Sequence, residues 1–559
     1  MNTYKNYYQE AKLNLMQKFI EELQFEDIIH LEYKNGLYGF TGKNFYYQFQ
    51  AEISQWSQVW VKKGSLHTYQ INNLQEEIKD ISIHDFICDL NLYFKMSDQD
   101  LALFLEEANQ TLYSDVEILM KKSHLSTELS FLELEQLSLG HPKILLNKGR
   151  IGWGANDLNR YAPESSQPIK LIWLAINKKL LVSGKSDHFD EDLFYKENQL
   201  SPIKGYMHLA VHPWQWDRFI KIQYMHLIAN GSIKYIGEKG NPYYAQSSLR
   251  TLSSFGHKYD LKLSLSILNT SCIRGIPQKY IRSGYKISDK LTEIINNDEY
   301  LNSKMQVLKE VCAQYVNDYS FKSLENSSYR FHEMLGMVIR ENVNQYIDTD
   351  EQVVSSASLL LKRDNSYFKE VLNESGLSIS HWLKNYFNNV FIPLYHLQNM
   401  HGLGLVSHGQ NILIKMKNFI PSGVIIKDFH GDLRIADNSI HLYEKSFMDL
   451  EHLAPNHLIH DLFTGHIVTF LRYFSRLCSQ EDLISEMEFY ALMRSCIQNY
   501  ENTYEVPKDI SFLRSQFEKI LINKVRFSSG YDELSRPRPI LGRNIINPIV
   551  KSELLYENL

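Results

Sequence analysis

The apolar positions of this chain change their spacing several times, and each change predicts a different element. Over about 7–23 they recur every three to four residues, as on an amphipathic helix. Over 30–40 the pattern is that of a hairpin, with Asn35-Gly36 suited to the two left-handed positions of a type I′ turn. Ser97-Asp98-Gln99-Asp100 then precedes Leu101, Phe104, Leu105, Ala108 and Leu112, which predicts a capped helix with one apolar stripe. Between Gly140 and Pro277 the texture becomes short apolar runs broken by Gly, Pro, Asn and His, and 170–176 and 206–211 read as strands. Helices are expected to return over about 288–318. In the last third a strand pair, 411–416 and 424–428, joined by a turn containing Pro421, Ser422 and Gly423, stands inside otherwise helical sequence. The sum is an α+β chain.

Composition narrows what such a chain can do. With 559 residues it exceeds one ordinary core, yet no Gly/Ser-rich or Pro-rich linker and no repeat divides it, so its parts must be joined by short connections. Lys and Arg total 59 against 65 Asp and Glu, and no block of like charge occurs, which argues against nucleic-acid binding by electrostatics alone. Five scattered cysteines without CxxC spacing suit a reducing compartment. Lys5 and Glu10 interrupt any signal-peptide core, and no later stretch reaches about 18 uncharged apolar residues. The expectation is a cytoplasmic protein without a membrane span.

Four polar segments could carry chemistry. In the first, His141, Lys148 and Arg150 fall within ten residues where Gly and Pro deny them a long helix; the loop suits an anionic ligand or a solvated basic surface. In the second, His208 and His212 lie four apart on a strand, too far for easy chelation, and packing is the expected role, with zinc binding the minor alternative. The third sets Ser248, Arg250 and Thr251 before Lys262 on a strand, with Thr270 and Arg274 at the end. These donors and cations suit phosphate or carboxylate oxygens, or equally a surface strand with capping hydroxyls. In the fourth, Ser407-His408-Gly409-Gln410-Asn411 leads into one strand and Lys427-Asp428 closes the next. Kinase-like folds hold Mg2+ against nucleotide phosphates with such a pair, although an ordinary polar-ended hairpin looks the same.

In this order and spacing, from about Gly140 to Pro548, the segments resemble the siderophore synthetases that work independently of non-ribosomal peptide synthetases, the aerobactin-synthetase-like IucA/IucC family. The family pattern GHPxHPxxKxRxG falls on 140–152, HPWQ on 212–215, SxRT on 248–251, HxQN on 408–411 and RDxxG on 427–431. The resemblance implies an ATP-dependent ligase, using ATP and Mg2+, that adenylates a polycarboxylic acid such as citrate or a citrate derivative and joins it to an amine or alcohol. It implies a homodimer of chains with thumb-like, fingers-like and palm-like parts, 1–139, 140–378 and 379–559, interlocked around one ATP and carboxylate cleft. By carry-over, Ser248, Arg250, Thr251 and Lys262 would hold the triphosphate. His408, Asn411 and Asp428 would meet the nucleotide, with Asp428 and Asn411 on the Mg2+. His141, Lys148, Thr270 and Arg274, with His408, would form the acid pocket, and Arg274, His408 and Lys262 would be catalytic.

The pattern is broken at three places. Ile144-Leu145 replaces its second His-Pro, Val406 replaces an acid two positions before His408, and Lys427 replaces an Arg, keeping charge but losing the planar fork. Near the C-terminus, Lys524 and Arg526 could also reach the substrate, although a solvated helix end is the preferred reading. A rival reading is a phosphotransferase of aminoglycoside-kinase type, imitated by 408–411 and 426–429. Gln410, however, stands where such an enzyme needs a proton-accepting Asp, and no Gly-rich phosphate loop precedes it. Val406 and Ile144 also fit a non-catalytic carboxylate-binding homologue.

Overall fold

The helix expected at 7–23 spans Asn2–Phe25 in the computed structural model, which describes residues 2–78, 80–121, 124–270, 272–324, 326–429, 431–531 and 540–551. Its apolar side, with Leu15, Phe19, Ile20 and Leu23, packs on Phe86, Leu90, Phe104 and Leu112 of helices Ile83–Phe94 and Asp98–Met120. Ser97 caps the latter by accepting the Asp100 N–H at 3.1 Å, as its sequence predicts. Strands Glu32–Lys34 and Leu37–Thr41 pair through Lys34 and Leu37, with Asn35 and Gly36 both at positive φ. They begin a five-stranded sheet. Ser271 and His430, inside two of the polar segments, lie outside the described residues.

The middle of the chain builds a six-stranded antiparallel sheet in the order Leu181–Lys185, Glu310–Val316, Gly336–Glu341, Tyr259–Leu263, Thr251–Ser253, Tyr244–Ala245. Strands Ile172–Asn177 and Tyr206–Val211 form where the apolar runs predict them and pair with each other. The helices expected over 288–318 are corrected. Helix Gly284–Asn297 ends at Asn297, and Met305–Val307 and Glu310–Val316 are strands. All seven residues of Glu310–Val316 are buried, so the strand shows no alternation by which it could be told from a buried helix.

In the last third, Ile412–Lys417 pairs antiparallel with Ile420–Ile426, but the turn lies at Asn418 and Phe419, both at positive φ, rather than at 421–423. Pro421 sits inside the second strand beside a bulge. The parallel neighbour Met305–Val307 begins pairing only at Val424, so the missing N–H of Pro421 leaves no gap on that side. With Glu351–Ser355 these make a four-stranded sheet that draws strands from both sides of residue 379. Among the described residues no helix is long and apolar enough to cross a membrane.

A buried charge knot ties the two ends of the chain. Arg472 donates to Glu22 at 3.0 Å and to Gln58 at 2.8 Å, and Lys143 reaches Glu26 at 2.6 Å and Glu22 at 3.4 Å. Glu26 also accepts the Asn523 and Lys524 N–H groups. The Gly140–Gly152 loop is thereby clamped between the first helix and helix Ile522–Ser529.

Buried neutral histidines set a pH limit on this fold. Burial pushes the imidazole of His212 down to about 3 and that of His466 to about 4. Below about pH 6.5 the unfolded chain therefore binds more protons than the folded one, so stability falls as pH falls. At pH 5 the loss is on the order of 2 kcal/mol for each. Melting temperatures at pH 7 and 5 should differ accordingly, and equal values would contradict the burial of both rings as neutral groups.

Candidate active site

Strand register brings the charged residues together. Thr251 lies opposite Lys262, and Asp260 opposite Arg340, so alternation places all four on one face of the six-stranded sheet. Arg340 is fully buried and binds Asp260 at 3.0 Å and Gln246 at 3.1 Å, while Ser253 and Asn342 satisfy the other Asp260 oxygen at 2.7 and 2.8 Å. Lys262 and Arg340 both extend to Asp428, which follows the strand Ile420–Ile426 with φ 62°. The distances are 2.6 Å from Lys262 and 3.3 Å from Arg340. Burial alone would raise the Asp428 carboxyl, but Lys262, Arg340 and Lys427 outweigh it and hold the group well below the usual carboxylate range. Glu310 stands 3.9 Å from Lys262. This ionised acid in a cage of cations is the kind of group that ligates a hard cation.

On the same side as Asp428, Asn411 donates to Asp432 at 3.1 Å and to the Val406 carbonyl at 3.5 Å. An acid therefore stands beside Asn411 although Val406 is apolar. His408 accepts the Gln410 N–H on Nδ1 at 3.3 Å, and His141 accepts the Ile144 N–H on Nδ1 at 3.4 Å. In the neutral rings the proton then sits on Nε2. The two rings are 6.1 Å apart, edge to face. Burial, and then His408 and nearby Lys18, push His141 well below the ordinary imidazole range. His408 is lowered chiefly by burial and further by Lys427 and Arg274, against the opposing pull of Asp432 and Asp428. Both rings are thus uncharged hydrogen-bond donors at neutral pH. His466 supports this segment by donating from Nδ1 to the Ser407 carbonyl at 2.8 Å.

The third segment closes the site. Arg250 donates to the Gly275 carbonyl, a residue with no room for a side chain, since a Cβ there would lie 2.8 Å from the Glu333 carbonyl oxygen. Arg274 donates to the Thr270 hydroxyl, and Thr270 has φ 62°. The Arg274 Nε and the Ser248 hydroxyl are buried without a protein partner among the described residues. Orphaned donors of this kind suit an anionic ligand.

Other expected residues are placed elsewhere. Lys148 spends its three donors on Asp115 at 2.8 Å, the Leu139 carbonyl at 2.6 Å and Asn147 at 3.3 Å. Arg150 forms a bidentate pair with Glu164 at 2.6 and 3.0 Å. Both hold the loop, and only His141 of that first segment approaches His408. His212 caps a short helix through Nδ1 and lies among Trp153 and Tyr161, and His208 packs on Tyr195; both are packing residues as expected. Lys524 is exposed, but the solvated reading of Arg526 is corrected, since Arg526 donates to the Thr270 carbonyl at 2.7 Å beneath Arg274. Sequence reasoning misses Arg340, Glu310 and Asp432. The only signal was a charge within an apolar strand, as in Met337-Val338-Ile339-Arg340. A cavity of about 1310 Å³ lies beyond the Gly140–Lys148 loop, lined by residues such as Lys18, Asp115, Arg363 and Arg476. Of the expected site residues only Lys148 lines it, so the chemistry is not centred there.

The chain as a whole has relatives among known proteins. A family model described as the IucA / IucC family matches residues 130–361, and one described as ferric iron reductase FhuF-like transporter matches 380–534. Aerobactin synthase of Escherichia coli is 31% identical, covering 97% of this chain and 98% of that one. The L-2,3-diaminopropanoate–citrate ligase of Staphylococcus aureus is 27% identical over 60% of this chain and 59% of its own. The structure of aerobactin synthetase IucC from Klebsiella pneumoniae superposes with a TM-score of 0.84 at 28% identity, covering 98% of this chain and 100% of that one.

Proposed function

Because this chain belongs to the IucA/IucC family of siderophore synthetases, we propose that it adenylates a carboxyl group of citrate or a citrate derivative with ATP and passes the acyl group to an amine or alcohol. It is a carboxylate–amine ligase of siderophore biosynthesis. The observation that carries the mechanism is the convergence of Lys262 and Arg340, from one sheet face, on Asp428 from the opposing strand end. Phosphotransfer is set aside, since the full-length relative is a synthase and Gln410 supplies no carboxylate to accept a hydroxyl proton.

Bringing an acid carboxylate against a phosphate joins two anions, and the site must neutralise both. Arg250 and Lys262, with the hydroxyls of Ser248 and Thr251, hold the triphosphate in this reading. Arg274 grips a carboxylate of the acid, oriented by Thr270, whose backbone carbonyl is in turn held by Arg526. The Nε2–H groups of His141 and His408 donate to oxygens of the acid without adding charge. Asp428, kept ionised, and the side-chain amide oxygen of Asn411 would hold Mg2+, which would supply neutralisation of phosphate charge. Lys148 positions the His141 loop rather than touching the acid. A neutral amine needs no protein nucleophile to attack an activated acyl group, so the absence of a Ser or Cys triad among these residues is consistent.

Asp428→Asn tests the assignment. It keeps the shape, removes the charge that balances two cations, and should cut turnover by about 100-fold while shifting the Mg2+ dependence to higher concentration. Pyrophosphate release measured across a Mg2+ series reads both; an unchanged Mg2+ profile refutes the metal assignment, and ADP in place of AMP as product refutes adenylation.

A further inference from the structure

Away from this site, three potential metal ligands converge at the C-terminal end of helix Gly284–Asn297. Asp298 Oδ2 lies 3.1 Å from His396 Nε2 and 2.9 Å from His401 Nε2, and the three ligand atoms all fall within 4.8 Å of one another. An ion with bonds of about 2.0–2.1 Å in a tetrahedral site sets its ligand atoms about 3.3 Å apart, so the two Asp–His pairs need to open by a few tenths of an ångström, and the two imidazole nitrogens, which lie within 4.8 Å of each other, are drawn together by the ion. The outer partners are also in place. Asp298 Oδ1 accepts the Tyr300 and Leu301 N–H groups at 2.8 Å each, His396 Nδ1 meets the Tyr500 hydroxyl at 3.1 Å, and His401 Nδ1 meets His441 Nε2 at 3.1 Å.

We infer that Asp298, His396 and His401 form a second, transition-metal site, separate from the Mg2+ site, that takes one Zn2+-class divalent ion. Two imidazoles and one carboxylate are the donor set of such ions and a poor match for Mg2+, which prefers oxygen. Each outer partner of an imidazole can both donate and accept. When the ion takes Nε2, the ring proton moves to Nδ1 and is received by the Tyr500 hydroxyl or by His441, so neutral rings become ligands with no buried proton left unpaired. The Asp298 and His401 side chains retain 15% and 13% of their exposure, which leaves an entry path and room for water as a fourth ligand.

The ion and its outer partner His441 would join three pieces of the fold. Asp298 precedes the strand Met305–Val307, His396 and His401 belong to helix Ile392–His401, and His441 is carried by the turn after strand Leu433–Ala436. Only six residues separate His401 from His408, so the site anchors the start of the segment that ends in the acid pocket.

The test uses the full-length protein stripped with a chelator and dialysed against ZnSO4 in the presence of excess MgCl2. Metal analysis should find one Zn2+ per wild-type chain, and Zn2+ should raise the melting temperature by several degrees. Asp298→Asn, which can still accept the two N–H groups, and His401→Gln should each lose that ion and that shift while keeping the far-ultraviolet spectrum. Co2+ added to the stripped wild-type chain should give visible d–d absorption, a readout that requires no variant. Absence of both Zn2+ uptake and Co2+ absorption would leave only a hydrogen-bonded triad and overturn the proposal. Equal Zn2+ content in wild type and variants would overturn it as well.

Discussion

Arg274→Ala should lower kcat/KM for the acid by about 100- to 1,000-fold, equivalent to about 2.7–4 kcal/mol, and leave KM for ATP nearly unchanged. Among the described residues the guanidinium has one side-chain hydrogen-bond partner, Thr270, and its Nε is buried without one, which leaves hydrogen-bonding capacity suited to a ligand. Removing it deletes a charge-assisted, potentially bidentate grip without opening a core. Arg274→Lys should recover only part of the loss, because an ammonium keeps the charge but not the fork. Acid-dependent pyrophosphate exchange into ATP measures the effect. Wild-type kcat/KM in the alanine variant would remove Arg274 from the acid pocket, and an equal rise in both KM values would point to a general collapse instead.

The second large effect concerns stability. Arg472 is fully buried, lies 3.9 Å from the Phe25 ring centroid and binds Glu22, Gln58 and the Val468 carbonyl. Arg472→Ala should destabilise the chain by about 3 kcal/mol, at the low end of the range for breaking a buried pair because Lys143 still faces Glu22 at 3.4 Å. The double variant Arg472→Met with Glu22→Gln should lose less than Arg472→Ala, since no uncompensated charge is left behind. Denaturant midpoints of the variants decide this; a double variant as weak as the single one would show that packing, not charge balance, sets the cost.

Local chemistry was legible wherever it is decided by a few neighbouring residues. Asn35-Gly36 makes its turn and Ser97 caps its helix. The strand Glu310–Val316 was not legible, because burial on both faces erases the alternation that identifies a strand. Nor could the linear order distinguish Lys148 and Arg150 from ligand-binding cations. Asp115 and Glu164, which absorb them, come from separate parts of the sequence and meet them only in the fold. Arg340 escaped notice for the same reason: its meaning depends on lying opposite Asp260 and within reach of Asp428, a relation of register rather than of motif.

The Glu22–Arg472 pair spans 450 positions of sequence. A ribosome adding about 5–20 residues per second needs roughly 20–90 s to cross that interval. Until Arg472 is made, Glu22 has Lys143 at 3.4 Å as its buried cationic partner, and for most of that interval the four-stranded sheet lacks the strands that follow residue 379. The first helix therefore gains its full set of charge partners only once the last part of the chain is being made, and a nascent chain released early would lack Arg472.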